Sequence, residues 1–478
     1  MTQSLLGSLQ GAYSGLQAAQ LAIEVTGQNI DNADTPGYIR EQVEQTAASA
    51  PASETLFTIG GAVGQGVGST SITQLDDSLL DRQVANTNAN AGYSGTVSTA
   101  LTSIETTLGE PSTDAISGQL QSFWAAWQGV SNDPGNSAAA GTLLGQAATL
   151  VSNISSAYQT VDSQWSATSE DLTQKVSQLN NDASQVAQLN AQITSTQSSG
   201  GDASSLIDER NNAVADIASL AGGSVSTNSN GSINISIGGA NLVQGDTALT
   251  LQISGGASME DAASDPVQLT WDDGSNTPAS ISNGEIAGGL SLLAPANASG
   301  TGGAFAETAA QLNSLATSLN DQVNAVSETG VTSSGATDDD FFALQSGVPA
   351  AVGLSVVPTD VSGIAVAASG AGAADGSIAD QISQLGTGSS SPDASWASYV
   401  VSLGTKSQAA NQQSTLDTTA QTSAVTAQQS SESVDLDQES MNLVTYQNAY
   451  EGAARVMTTI DQMLNTLITQ TGEVGLDG

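Results

Sequence analysis

Apolar residues recur at alternating steps of three and four along the first thirty positions of the chain. The positions that follow this rule are Leu5, Leu9, Ala12, Leu16, Ala19, Ile23, Thr26 and Ile30. Such spacing places one apolar stripe along a helix, and the small residues in it allow a second helix to approach closely. Pro36 and Gly37 end the pattern, because proline cannot continue a helix and Pro-Gly favours a tight turn.

A second stripe of the same kind lies near the other end of the sequence. Its positions are Leu443, Tyr446, Tyr450, Ala453, Met457, Ile460, Leu464 and Leu467. Neither stripe has an apolar partner nearby in the sequence. We therefore expect each helix to pack against the other or against a neighbouring subunit, although periodicity alone also allows an ordinary helical-bundle core.

Helical spacing returns in several interior segments, and one interior region instead alternates with period two. The predicted helices cover about 76–107, a segment around 123–127, and 154–193, 205–220, 305–326 and 395–431. Strand-like alternation occurs at Ile233, Ile235 and Ile237, at Leu249, Leu251 and Ile253, and at Val267, Leu269 and Trp271. Period two indicates half-buried strands.

This order of segments predicts a mainly α fold with a β-rich insertion, in an elongated molecule. The terminal helices would form a coiled coil or bundle from residues 1–45 and 432–478. An elongated helical domain would comprise 46–221 and 285–431, and the β-rich outer insertion would be 222–284. The domains are nested in this prediction because the two terminal helices must meet, while the rest of the sequence lies between them.

Composition narrows the possible functions. The chain of 478 residues has 47 acidic residues, 6 basic ones, no cysteine and no histidine, for a net charge of −41. Phosphate neutralisation and binding to anionic membranes both need Lys and Arg, so we expect neither nucleic acid nor membrane as a partner. Without Cys and His there are no disulfides, thiolate nucleophiles, Cys/His zinc sites or Ser-His-Asp triads.

The remaining candidate motifs have structural interpretations. The glycine-rich run at 60–68 lacks the lysine of a phosphate-binding loop, and Asp338, Asp339 and Asp340 lack the ligand spacing of a calcium loop. The aromatic residues near Trp124 are typical of a core. We expect no catalytic, cofactor-binding or metal site. The N-terminal segment also lacks the basic and apolar regions of a cleavable signal peptide.

The segment from Asn29 to Tyr38, which reads Asn-Ile-Asp-Asn-Ala-Asp-Thr-Pro-Gly-Tyr, resembles the N-terminal motif of the flagellar axial proteins. The run from Val434 to Glu439, with the following Tyr446 and Tyr450, is similar to that family's C-terminal helix. Two internal segments, 66–83 and 206–245, resemble the members that join hook to filament. Asp34 and Asp435 depart from the family's usual Asn.

The resemblance implies a structural subunit of the bacterial flagellum, not an enzyme, that polymerises through its terminal helices without a cofactor. It implies export to the cell exterior without a cleavable signal. Implied partners are copies of itself, the hook subunit, a second hook–filament junction protein and an export chaperone on the C-terminal helix. The implied assembly residues are Leu5, Leu9, Leu16, Ile23, Ile30, Asn32, Thr35, Pro36, Gly37, Tyr38, Leu443, Tyr446, Tyr450, Met457, Ile460, Leu464 and Leu467.

Three other functions fit parts of the sequence. A different axial subunit, such as a hook or rod protein, would share the terminal motifs. A secreted surface adhesin with coiled-coil ends would use residues 222–284 to bind a glycan or a host surface. A carbohydrate-active enzyme would use the same insertion, although no pair of carboxylates stands out there as a general acid and base.

Overall fold

A computed structural model of the chain describes residues 2–35, 37–48, 66–337, 339–372 and 374–472. Its helices in chain order are α1 (Thr2–Asp31), α2 (Ser78–Leu108), α3 (Ile116–Asn132), α4 (Ser137–Ser198), α5 (Ser204–Ala221), α6 (Gly284–Leu293), α7 (Ala304–Ser327), α8 (Ala350–Gly353), α9 (Ser377–Ser383), α10 (Pro392–Glu432) and α11 (Leu436–Gly472). The predicted mainly α fold with a β-rich segment is therefore observed.

The strands are short and pair only in small antiparallel sheets within the described residues. They are β1 (Glu41–Ala47), β2 (Val67–Gln74), β3 (Ser224–Thr227), β4 (Ile233–Ile237), β5 (Ala240–Gln244), β6 (Thr247–Ala248), β7 (Leu251–Ser254), β8 (Gln268–Trp271), β9 (Gly330–Thr332), β10 (Phe342–Leu344), β11 (Leu354–Val356) and β12 (Ala365–Ala368). The sheets are β1-β2, β3-β4-β5-β6, β7-β8, β9-β12 and β10-β11.

The 62-residue helix α4 is the spine of the molecule, roughly 90 Å long at 1.5 Å per residue. It begins well before the predicted start near residue 154, because Asn136 caps it by accepting hydrogen bonds from the amides of Ala138 and Ala139. Gly141 and Gly145 in its first turns hid this extension from the sequence pattern. Its buried face contacts α3, α5, α6 and α7.

One continuous apolar core joins these helices. Phe123, Trp127 and Trp165 are fully buried in it. Phe341 adds its ring to the cluster, 4.9 Å from Trp127 and 6.0 Å from Phe123 between centroids. Such tilted aromatic contacts add to the burial of their large apolar area. The predicted core role of these aromatic residues is confirmed.

The strands β3 to β8 lie within the predicted insertion, and all but the exposed edge strand β3 contribute side chains to the apolar core of the helices or pack against it. Asparagine side chains of α4 fix their edges. Asn190 donates to the carbonyls of Ile233 and Gly245 at 2.9 and 2.7 Å, and Asn180 bonds both ways with the backbone of Leu251. The β-rich segment is thus seated on the side of α4, and its boundaries at 222 and 284 stay a prediction.

The predicted elements differ from the structure in a few places. Helix α6, with Ile286 and Leu293 buried, was not predicted because its glycines interrupt the helical pattern. Leu249 was assigned to a strand, but β7 begins only at Leu251. The glycine-rich run at 60–68, whose sequence favours a loop or a bent hairpin, lies outside the described residues up to position 65. Asp338 also lies outside them.

The core predicts that two leucines of the body contribute very differently to its free energy of unfolding. Leu179→Ala removes a fully buried side chain of α4, so we expect it to lower the free energy of unfolding by about 2–5 kcal/mol. Leu416→Ala on α10, where the side chain is 64% exposed, should change it by less than about 0.5 kcal/mol. Urea denaturation followed by circular dichroism measures both, and equal effects would contradict the assigned core.

Candidate assembly interface

The two terminal helices pack against each other and against the β1–β2 hairpin. We call this unit the terminal domain; it consists of α1, β1, β2 and α11. Its own small core contains Ala22, Val25 and Val43, with Ile72 and Tyr446 packed beside them. The small side chain of Ala22, which lies outside the predicted stripe, permits the close approach.

The most buried line of α1 is displaced from the predicted stripe. Ala18, Ala22, Val25 and Asn29 face the interior, together with Ala19 and Thr26 from the stripe itself. The large stripe residues remain only half-buried; they are Leu9, Leu16, Ile23 and Ile30. The side chain of Leu5 is not among the described residues. Small residues therefore make the contact within the chain, and large apolar ones stay partly available.

The stripe of α11 is divided in the same way. Ile460 is buried, whereas Tyr450 and Leu467 are exposed. The half-buried members are Leu443, Tyr446, Met457 and Leu464. A single chain therefore does not bury either stripe completely.

The turn after α1 seats the terminal domain on the helical body. The amide of Thr35 donates to the carbonyl of Asn32 at 2.9 Å, and that of Tyr38 to the carbonyl of Thr35 at 3.2 Å. Gly37 has φ +77°, and a Cβ there would lie 2.2 Å from Oδ1 of Asn212 on α5. Only glycine permits both the conformation and this approach. Pro36, predicted to belong to the same turn, lies outside the described residues.

A polar cluster that the sequence analysis missed ties the two ends of the chain together. We call Asn29, Arg40 and Glu439 the clasp. Arg40 donates through Nε to Oε1 of Glu439 at 2.7 Å, and its NH2 lies 2.7 Å from the same oxygen. Asn29 donates to the carbonyl of Glu41 at 2.8 Å and accepts from the amide of Glu41 and the hydroxyl of Tyr38, both at 2.9 Å.

The clasp is an effective connection because it is shielded from water. The Glu439 side chain is 2% exposed and that of Arg40 is 16% exposed. A charge-assisted pair in such surroundings is strong, and removal of one partner leaves the other charge buried without compensation. The scarcity of basic residues was the available signal: Arg40 is one of only six Lys and Arg in the chain, beside the Asn29–Tyr38 motif.

A second polar contact joins the clasp to the body where α10 ends. The amide of Arg40 donates to the carbonyl of Glu432 at 2.9 Å, and the amide of Asp77 donates to Oε1 of Glu432 at 2.8 Å. Burial of Glu432, together with the charges of Asp81 and Asp76 and despite the bond from the Asp77 amide, raises its pKa to about 7. Burial likewise raises the pKa of Asp208 on α5 to about 6.

Other chemistry is not evident in the part of the chain that the structure describes. Across residues 2–35, 37–48, 66–337, 339–372 and 374–472, no group of three or more Asp and Glu side chains has a metal-binding arrangement. Over the same residues, none of the helices combines the length and the apolar character that crossing a membrane requires. The features that stand out are the half-exposed stripes, the clasp and the turn.

Comparison with known proteins places the chain in a family. Residues 101–342 match the family described as the flagellar hook-associated protein FlgK helical domain, which is half of the chain. The chain belongs to the flagellar hook-associated protein family. Residues 9–38 match the flagella basal body rod protein family, and residues 429–470 match the C-terminal family of the flagellar basal body rod FlgEFG proteins. The two terminal matches coincide with α1 and α11.

Individual relatives agree with this family. The chain is 27% identical to flagellar hook-associated protein 1 of Bacillus subtilis over 99% of its own length and 100% of that protein. It is 30% identical to the Salmonella typhimurium protein of the same name over 70% of its length, which spans 59% of that relative. The predicted resemblance to flagellar axial proteins, and to their hook–filament junction members, is confirmed.

A solved structure shares the fold. The flagellar hook junction protein FlgK from Burkholderia pseudomallei superimposes with a TM-score of 0.62 at 18% identity, over 73% of this chain and 100% of that one. At this identity the likeness concerns the fold. It agrees with the long helices and small sheets described above.

The clasp predicts a strong effect of one arginine. Arg40→Gln should lower the free energy of unfolding of the terminal domain by about 2–4 kcal/mol, because it leaves Glu439 buried and charged. The matched control is Arg455→Gln, which removes an exposed pair with Glu451 on α11 and should change it by less than about 0.5 kcal/mol. Urea titration with limited proteolysis of α11 measures both. Equal values for the two variants would rule out the clasp.

Glu432 predicts a pH dependence of stability. Its pKa is about 7 in the folded chain and ordinarily 4.5, so the folded state holds the proton more tightly. Its stabilising contribution is therefore present below about pH 4.5 and is lost as the pH rises through about 7. Glu432→Gln should be more stable than the native chain at pH 8 by about 1–3 kcal/mol, with a smaller difference at pH 5.

The control for this comparison is Glu170→Gln, at an exposed position on α4. Thermal unfolding at a series of pH values measures all three proteins. If the stability of the native chain and that of the Glu432→Gln variant depended on pH in the same way, the role of this carboxyl would be disproved.

Proposed function

We propose that this chain is a structural subunit that joins the flagellar hook to the filament and polymerises through its two terminal helices. The observation that carries the polymerisation step is the incomplete burial of the stripes on α1 and α11. Large apolar residues such as Leu16, Ile23 and Met457 remain half-buried after the helices have packed on each other. Another molecule could bury these side chains further, and apolar burial is the main driving force of association.

The different family matches of the ends and the middle support the junction role. Residues 9–38 and 429–470 match rod-protein families, whereas residues 101–342 match the hook-associated helical domain. We propose that residues 1–45 and 432–478 form the assembly domain. Residues 46–221 and 285–431 would form the helical domain, with 222–284 facing outward. A hook or rod subunit is the second candidate, favoured only by the terminal matches.

The proposed partners follow from this arrangement. Copies of the same chain and the hook subunit would contact the stripes within the tube, and a second junction protein would continue it toward the filament. An export chaperone would cover α11 before secretion, since its exposed apolar residues need shielding from solvent; they include Met441, Val444 and Ile468. The protein would reach the cell exterior without a cleavable signal, and its work there would be mechanical.

Tyr450 offers a test of the assembly interface. Tyr450→Asp places a charge on an exposed stripe position of α11, so we expect the subunit to fold but to lose most filament attachment. Val401→Asp is the matched control, because Val401 is 69% exposed on α10, away from the terminal domain. Both are expressed in a strain that lacks the native gene, and motility and electron microscopy of hooks are recorded.

The same strain separates the junction role from the second candidate. Immunogold labelling should mark a short band at the hook tip, whereas a label along the whole hook or rod would support the other axial subunit. Normal filaments on Tyr450→Asp cells would argue against assembly through α11.

A further inference from the structure

Helices α2 and α10 form a long antiparallel pair whose seam is polar. Three pairs of side chains bond across it in the same register, and a fourth pair, Ser407 and Glu105, departs from it. Asp81 accepts from Gln428 at 2.6 Å, Asn88 from Gln421 at 3.0 Å and Asn411 from Ser98 at 2.5 Å. From Asp81 to Asn88 the residue on α2 advances by seven positions, and its partner on α10 moves back by seven, from Gln428 to Gln421. From Asn88 to Ser98 both partners shift by ten positions.

Large apolar side chains hold only the first third of α10; beyond it, the apolar contacts are made by small residues such as Ala410 and Ala424. Trp396 and Leu403 are buried in the core of the body, and Trp396 also donates to Glu110 at 2.8 Å. Beyond Gly404 the structure describes every residue to the end of α10, and the buried ones are Ser407, Ala424 and Glu432. No large apolar side chain locks this part of the helix to α2.

Open space flanks the same part of α10 on both sides. A groove of about 330 Å³ lies between α2 and α10, with Tyr93, Val97 and Gln413 among its lining residues. Another of about 360 Å³ lies along Glu105, Ser407 and Asn411. Residues on this stretch therefore have room to move without displacing the packed core.

The cost of separating the two helices here is small compared with unfolding the body. A hydrogen bond at an accessible seam is replaced by bonds to water when it breaks, so its net contribution is small. Buried aromatic and aliphatic side chains, as on α4, have no such replacement. Gly404 lies where the packing of large apolar side chains stops, and glycine weakens a helix interior.

We propose that residues 405–428, which we call the distal arm, open from α2 as a unit while the body stays folded and Glu432 stays bonded to the amides of Arg40 and Asp77. The terminal domain is connected to the body through α2, through α10, through the Gly37 turn and through bonds from Gln74 to Ser204 and Asp208 on α5. Opening of the distal arm weakens the connection through α10, so the terminal domain can shift more easily relative to the body. This inference rests on the proposed junction role, because a subunit between hook and filament must connect two tubes of different shape.

The native chain has no cysteine, so one engineered thiol reports on the opening. Ala424→Cys places it in the seam, where Ala424 is 1% exposed. Ala147→Cys is the matched control at a fully buried position on α4. Each purified full-length variant is treated with a maleimide over a range of urea concentrations that stays below the unfolding transition.

We expect Ala424→Cys to react roughly a hundredfold more slowly than the unfolded chain, with little dependence on urea, because only a local opening is needed. Ala147→Cys should react at least roughly ten-thousandfold more slowly and accelerate steeply with urea, because its exposure requires global unfolding. Equal protection with equal urea dependence would overturn the proposal.

Two further measurements keep the test independent of a single substitution. Asn88→Leu with Gln421→Leu gives the seam an apolar contact and should slow labelling of Ala424→Cys roughly tenfold. Hydrogen exchange of the unmodified chain should be faster in 405–428 than in 150–190; similar rates would count against the distal arm. Because all of these use the purified chain, their failure would leave the assembly role untouched, and a failed motility assay would leave the distal arm untouched.

Discussion

The bond between Arg40 and Glu439 joins residues 399 positions apart, and the terminal domain can form only when these distant segments of the chain meet. Bringing together segments so far apart in sequence is entropically costly, and the cost is met by the folding of what lies between them. The spine α4 and the pair α2–α10 bring the ends to the same place. The clasp then fixes their orientation, with a charge pair that few other basic residues in this chain could supply.

The helices of this molecule make contacts of two kinds. Around α4, large apolar side chains interdigitate, and the position of each helix is fixed by shape. Along α2 and α10, and between α1 and α11, small and polar residues make the contacts. The first kind gives a rigid body; the second allows close approach without a unique apolar fit. The proposed assembly surface and the proposed distal arm both belong to the second kind.

Much of the helical architecture could be predicted from the sequence, because long stripes with steps of three and four leave little ambiguity. The stripes of α1 and α11 were visible for this reason, and so was the alternation of β4. The rotation of α1 was not, since Ala18 and Ala22 attract no attention in a chain rich in alanine. The clasp was also hidden: Arg40 and Glu439 are ordinary residues whose importance lies in a contact over most of the chain. Glycines concealed α6 and the start of α4.

The separation of the clasp residues has a consequence for the order of events during synthesis. Helix α1 is made before the body, whereas its clasp partner Glu439 and its packing partner α11 are made after it. A chain that is interrupted before α11 cannot complete the terminal domain, however well its middle has folded. The terminal domain can therefore fold only in a chain that includes α11, and only such a chain presents both stripes side by side.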